Sequence, residues 1–225
     1  MGNIVIDFLK IFQKKPKYDK LKGIHFNGED NLYPQRVESI IQNSVTAKSC
    51  SKLMADYIIG KGFGDAENDI IVHEENRTTL FQLGHEIAES IADHKGVFIH
   101  VNLYSDNYIK DIDVLPFTDE RVGEKDDDKY HGKIAICDDW ADPKEAKKAI
   151  PIDVYNTAEK VIQAQIKKAG SIEQYKGQIF YLNLSKFVYP LSPLHPALDD
   201  ADSEKQASVY KNKSLRKGFF GKTLF

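Results

Sequence analysis

The chain has 225 residues, of which 41% are hydrophobic and 29% charged, with a formal net charge of −3. That length allows one large domain or two small ones, the composition is that of an ordinary soluble globular protein, and the charge gives no support for a broadly basic nucleic-acid binder. The two cysteines, Cys50 and Cys137, have no paired spacing, so they read as free thiols in a reducing compartment and offer neither a disulfide framework nor a zinc site.

The chain opens with Ile4, Val5, Ile6, Phe8, Leu9, Ile11 and Phe12, broken by Asp7 and Lys10. This run is too short and too charged for a transmembrane span, and no small-residue cleavage site follows it. Met1-Gly2-Asn3-Ile4-Val5-Ile6 also lacks the Ser or Thr expected for myristoylation. The reading is a short amphipathic helix over residues 3–12 seeking a partner surface, then a basic connector from Lys14 to Lys22. Residues 1–22 are thus set apart from a single α+β domain over residues 23–225.

The stretch from Asn27 to Phe63 organises that domain. Pro34 suits the first turn of a helix, where its missing N–H would be unbonded anyway. Val37, Ile40, Ile41, Val45, Leu53, Met54, Tyr57 and Ile58 recur at spacings near three and four. They predict one long helix over residues 35–59 with a single apolar stripe, a structural spine packed on more than one side. Gly60 and Gly62 end it, since glycine takes the left-handed conformation without a Cβ clash.

A second helix is predicted from Thr78 to Asp93, with Thr78 or Thr79 as its N-cap and Gly96 closing it. The pattern then changes period. Val97 to Tyr104 is rich in β-branched and aromatic residues, Ser105-Asp106-Asn107 is a turn, and Tyr108 to Leu115 reads as the return strand of a hairpin. Lys133 to Cys137 predicts a third strand and Gln178 to Leu182 a fourth. Asp139 to Ile152 reads as a surface connection, and Val154 to Ala169 as a helix. Tyr189 to Pro196 carries three prolines and excludes regular structure. Leu198 to Lys217 reads as a final helix, acidic at its start and basic at its end, which matches the helix dipole. The fold class is therefore α+β: a long N-terminal helix, an antiparallel meander or hairpin sheet, and further helices.

No catalytic constellation emerges, and no cofactor is implied. His85 and Glu89 share a helix face, yet the spacing is not His-Glu-x-x-His and no third ligand is indicated. Asp126-Asp127-Asp128 lacks the ligand order and glycine of a calcium loop and reads as a solvated hairpin tip. Gly60-Lys61-Gly62-Phe63-Gly64 follows a helix rather than a strand and lacks Gly-Lys-Ser/Thr, so it is a helix-ending turn and not a phosphate loop. Trp140, beside Asp138 and Asp139, has two readings: an anchor that docks a partner, or a lid residue of its own domain. Phe219, Phe220 and Phe225 at the chain's end are further candidates for an interface.

Several of these pieces together carry a resemblance. Gly28, Asp30, Asn31, Tyr33 and Pro34 form a G-x-D-N-x-Y-P lead-in, Asn43 and Ser44 lie in N-S-x-T, and Gly60, Gly62 and Phe63 form an I-x-G-x-G-F exit. Val114-Leu115-Pro116-Phe117 followed by Arg121, then Asp139-Trp140, Tyr189-Pro190-Leu191-Ser192 and Lys217-Gly218-Phe219, follow in order. In this arrangement the chain resembles the N-terminal, wing region of portal proteins of tailed bacteriophages.

The resemblance implies a structural virion protein and no enzyme. Such portals form rings, usually of twelve subunits, at one capsid vertex, where DNA is packaged and ejected. Its implied partners are further copies of itself, terminase, capsid and tail-connector proteins, and duplex DNA passing non-specifically, with no membrane. The implied location is the virion, and the host bacterial cytoplasm during assembly. Family members continue into a channel-lining stem and a clip, neither of which is recognisable here, which suggests a truncated gene product or a fragment. From a different class stands the alternative of a metal-dependent intracellular enzyme using the His85–His94 helix. An adaptor of unrelated origin is a third.

Overall fold

The computed structural model describes residues 23–103 and 109–216. Its α-helices are α1 Tyr33–Asn43, α2 Val45–Ile59, α3 Leu80–His94, α4 Pro143–Lys147, α5 Glu159–Ala169 and α6 Leu198–Arg216. Two short strands, β1 Ile71–His73 and β2 Thr78–Thr79, make a small antiparallel pair. The main sheet comprises β3 Gly96–Leu103, β4 Ile109–Leu115, β5 Glu120–Val122, β6 Lys133–Ile136, β7 Ile150–Val154 and β8 Gln178–Asn183. The chain is α+β. Residues 3–12, the 14–22 connector, the 105–107 turn and Phe219, Phe220 and Phe225 lie outside the described residues.

The sheet runs in the order β4-β3-β8-β7-β6-β5. All its pairs are antiparallel except β7 with β8, where Asp153 faces Gln178 and Val154 faces Ile179. A parallel pair needs a crossover, and α5 supplies it. Alternation along β3 explains the nearly continuous apolar run there. Phe98 enters a cluster with Phe117, Ile134, Ile152 and Ile179, while Val101 and Leu103 join Ile162 of α5 and Tyr175. Both faces are covered, so neither set of side chains needs to be polar. The predicted surface connection from Asp139 to Ile152 instead contains α4 and most of β7. Pro151 hid that strand, because proline within a run argues against a ladder.

The predicted spine is two helices, and its stripe does not survive the break. Ser44 has extended backbone, φ −104° and ψ 122°, and its Oγ accepts from the Ala47 N–H at 3.0 Å to cap α2. The Ser44 N–H still donates to the Ile40 carbonyl, so one helix ends where the next begins. Before the break the pattern holds: Val37 and Ile41 are buried. After it, Ala47, Ser51 and Ala55 turn inward. Val45, Leu53, Met54, Tyr57 and Ile58, all placed on the packed stripe by their spacing, are exposed.

The inward face of α2 is made of small residues for a steric reason. Ala55 packs against Ala88 and Ala92 of α3, with Ile59 at the edge. A Cβ added at Gly84 of α3 would stand 2.7 Å from Ile59 Cδ1 and 3.0 Å from Phe63 Cε2. Small residues let the two helix axes approach, and a larger one would force them apart. Helix α3 itself begins with a full capping box. Thr79 Oγ1 accepts from the Gln82 N–H at 3.3 Å, and Gln82 Oε1 accepts from the Thr79 N–H at 2.9 Å. Its left-handed closing residue is Lys95, φ 62°, so Gly96 is free to start β3.

Candidate functional site

Arg121 is a buried centre to which Asn31 and Trp140, two of the motif residues, are tied directly. It is fully buried on β5, and its guanidinium makes hydrogen bonds in every direction of its plane. Nε donates to Asn31 Oδ1 at 2.5 Å and Nη2 to the Asn31 carbonyl at 2.6 Å. Nη1 donates to the carbonyls of Thr118 at 2.9 Å and Glu120 at 2.7 Å. Nη2 also reaches Gln35 Oε1 at 3.4 Å. The Trp140 ring lies 5.1 Å from the guanidinium carbon, and its Nε1 donates to the Asp119 carbonyl at 2.8 Å. Burial pulls the Arg121 pKa down to about 10, partly offset by Tyr189, Glu120 and Asp119, which leaves it charged at neutral pH.

The lead-in motif exists to present Asn31. Asn31 has φ 64°, a left-handed conformation that Asn tolerates better than most residues, and its Oδ1 also accepts from the Asn27 N–H at 3.0 Å. Asp30 Oδ1 accepts from the Leu32 N–H at 3.1 Å, and its other oxygen pairs with Arg36 at 2.5 Å. Gly28 sits at φ 88°, and a Cβ there would fall 2.7 Å from Tyr33 Cβ. Tyr33 and Pro34 then open α1, both buried.

Tyr33 and Tyr189 fasten the distant C-terminal segment to this core. Tyr33 Oη accepts from the Ser192 N–H at 3.2 Å and lies 3.0 Å from His195 Nδ1. Tyr189 Oη donates to the His25 carbonyl at 2.9 Å and accepts from the Val122 N–H at 2.6 Å. Burial raises the Tyr33 pKa to about 12 and that of Tyr189 further still, so both remain neutral donors. Pro190 is fully buried, close to where a side chain on Gly96 would be. Five segments distant in sequence thus meet here: residues 25–36, Gly96, residues 118–122, Trp140 and residues 189–195.

Other candidates lie apart. Ser44 caps α2 and also hydrogen-bonds to the Glu204 carboxylate of α6, which accepts from the Thr46 N–H at 3.4 Å. An anion at a helix N-terminus is favoured by the dipole, and these bonds hold the Glu204 pKa down. Asn43 donates to the Ser39 carbonyl at 2.6 Å from an exposed position. Gly60 and Gly62 take φ 54° and 79° at the end of α2, and Phe63 is exposed. The Trp140 side chain is buried in the chain and lies over Arg121.

The metal-helix residues are not brought to one place. His85 and His94 are nine residues apart on α3, which puts them on opposite sides. His85 lies 3.5 Å from Asp56 and 3.6 Å from Glu89 near the surface, whereas His94 is buried and stacked on Phe117 at 4.7 Å. Among the described residues, no three His, Cys, Asp or Glu gather into a metal-binding group.

Three features were not read from the sequence. Glu204 and Glu120 look like surface acids by type alone, yet one caps a helix and the other is buried with both carboxyl oxygens lacking a hydrogen-bond partner among the described residues. The third is the outer face of α2. Cys50, Leu53, Met54, Tyr57 and Ile58 line an open apolar hollow of about 410 Å³. The change of phase at Ser44 was its signal, since a capping Ser inside N-S-x-T marks a helix start.

No protein-family model matches the chain, and no curated protein matches it in sequence. Solved structures do share its fold. A chain of the "Virion of native gene transfer agent (GTA) particle" superposes with a TM-score of 0.54 at 12% identity, over 82% of this chain and 46% of its own length. A chain of the "Neck of empty GTA particle computed with C6 symmetry" gives 0.53 at 12% identity, over 86% of this chain and 52% of its own. A chain of the "Neck of native GTA particle computed with C12 symmetry" gives 0.52 at 12% identity, over 85% and 51%. The present chain therefore spans about half the length of these neighbours. At this identity the likeness is one of fold.

Proposed function

We propose that this chain is a portal-like structural subunit of a phage-type particle, standing in a ring at the capsid vertex where head and tail meet. In this reading DNA is packaged and leaves through the ring, and terminase and tail-connector proteins dock on it. The observation that carries the proposal is the fold shared, over more than four-fifths of the chain, with chains in virion and neck structures of gene transfer agents. The motif residues support it independently, because Asn31, Tyr33, Arg121, Trp140 and Tyr189 form one interlocked framework rather than scattered turns. Such a framework suits a subunit whose task is to hold shape under load. The ring of twelve belongs to the same proposal; the C12 and C6 symmetries are those of the neighbours' particles.

The test is to locate the chain in particles. An antibody against an exposed segment, such as the acidic loop at residues 124–129, would be applied to particles purified from cells that produce it. One labelled point per particle, at the head–tail junction, is the expected result. Labelling spread over the capsid surface, or no chain in purified particles, would sink the proposal.

A further inference from the structure

The outer face of α2 is apolar from Cys50 to Ile58. Leu53, Tyr57 and Ile58 are 56%, 80% and 44% exposed, and they surround Cys50 and Met54 at spacings of three and four. Isolated exposed apolar residues are ordinary, but a contiguous row on one helix face marks a contact surface. The opposite face of α2 is already filled by α3, so this row is not a core awaiting closure by the described elements.

We propose that residues 3–12 of the same chain dock on this face as an amphipathic helix laid along α2. At helical spacing Ile4, Val5, Phe8, Leu9, Ile11 and Phe12 fall on one side, and Asp7, Lys10 and Gln13 on the other together with a single apolar residue, Ile6. An apolar stripe of that width matches a row set at i, i+3, i+4, i+7 and i+8, the arrangement by which helices fill grooves.

Charge supports the same occupant. Residues 14–22 carry five lysines, Lys14, Lys15, Lys17, Lys20 and Lys22, against the single Asp19. Directly beyond the C-terminal end of α2, residues 65–75 carry Asp65, Glu67, Asp69, Glu74 and Glu75 and no Lys or Arg. None of these five acids forms an ion pair with another described residue. An apolar segment followed by a basic one thus meets an apolar face followed by an acidic one.

The tether is long enough. Ten linking residues, 13–22, reach up to about 35 Å, while a domain of this size has a radius of gyration of only about 16 Å. A tether of that length also holds the segment at a high effective concentration, so weak contacts suffice.

Cys50 is a native reporter, since it sits in the hollow and Cys137 is buried. Its reaction with a water-soluble maleimide, followed by peptide mapping, would be compared between the wild-type chain and the full-length double variant F8D/I11D. Docking predicts labelling at least about tenfold faster in the variant, as expected when a closed contact gives way to an open one. Circular dichroism of both proteins would establish that the domain is folded. Equal rates in two folded proteins would overturn the proposal. In a second measurement, Val5→Cys, Phe8→Cys, Leu9→Cys and Phe12→Cys would be oxidised one at a time. At least one should form an intrachain disulfide with Cys50 that persists on dilution. No bond from any position, or bonds only between chains that vanish on dilution, would overturn it. Both measurements are made on dilute single chains, so their outcome is independent of membership in a ring.

Discussion

Arg121 shows how one side chain can hold a fold together. It is buried, planar and bonded on all sides, and its acceptors are mostly carbonyls fixed by the backbone. Lysine keeps the charge but not the fork, so Arg121→Lys would leave the Asn31 carbonyl and the Thr118 carbonyl without their donor. A loss of at least about 2 kcal/mol is expected in urea unfolding, because each orphaned buried group costs roughly 1–3 kcal/mol. A loss under about 0.5 kcal/mol would mean that the hub is not structural. His94 gives a pH signature of known sign. Burial lowers its pKa to about 4 from 6.5, with Arg121 adding to the effect. Between those two values the unfolded chain binds a proton that the folded chain does not, so stability falls as pH drops from 6.5 towards 4, by up to about 3 kcal/mol. Glu120 acts in the opposite direction. Burial raises its pKa well above the ordinary value, and Asp119 adds to it, so the folded state holds the proton and the contribution is lost as pH rises. The two separate experimentally. His94→Gln should flatten the fall in urea midpoint on the acid side, while Glu120→Gln should narrow its difference from wild type as pH is lowered from 8 to about 4.5. Unchanged pH profiles in both variants would contradict the buried placement of these groups.

At the scale of elements, what was legible followed local chemistry, and what was missed depended on tertiary contacts. The threonine N-cap of α3, the β3–β4 hairpin and the charge polarity of α6 were all readable, because each is set by residues within a few positions. The break at Ser44 was not, although the motif containing it was noticed. A stripe at spacings of three and four continues through a kink on paper, whereas in space the kink rotates everything after it. Strand β7 was missed because its partner strands, not its own sequence, hold Pro151 in the ladder. The Arg121 framework was legible only as an ordered set of motif residues; that Asn31 and Trp140 would meet at one guanidinium required the sheet. The two halves of the supposed spine now give opposite expectations. Ile41 is 1% exposed, so Ile41→Ala should cost about 2–5 kcal/mol. Val45, four residues on, is 76% exposed, so Val45→Ala should change stability by no more than about 0.5 kcal/mol. Equal costs in chemical denaturation would restore the single continuous stripe.

At the scale of the whole molecule, the question is what this chain does by itself when neighbours of its fold stand in symmetric particles. The net charge of −3 supplies no electrostatic attraction for duplex, and a subunit that only surrounds DNA needs none. Any affinity measured by fluorescence anisotropy should therefore be independent of sequence and vanish with modest salt. Salt-resistant binding to one sequence would contradict the portal reading itself. Association follows a related logic. A ring requires a heterologous interface, one patch meeting a different patch on the next copy, at an angle that closes. Stable interfaces bury about 1,200–2,000 Å² in total. This chain spans about half the length of the neighbours that share its fold, so whatever the other half of those chains adds to a ring has no counterpart within residues 1–225. The exposed apolar residues on α2 favour association without fixing a rotation, and a docked N-terminal segment would cover part of them. Residues 1–225 alone should therefore be a monomer or a weak oligomer whose mass falls on dilution. Light scattering over about a hundredfold range of concentration separates the cases, since a reversible weak oligomer dissociates by mass action across that range. A single species near twelve subunits at every concentration would place ring closure within this α+β domain, and the expectation of weak association would be wrong.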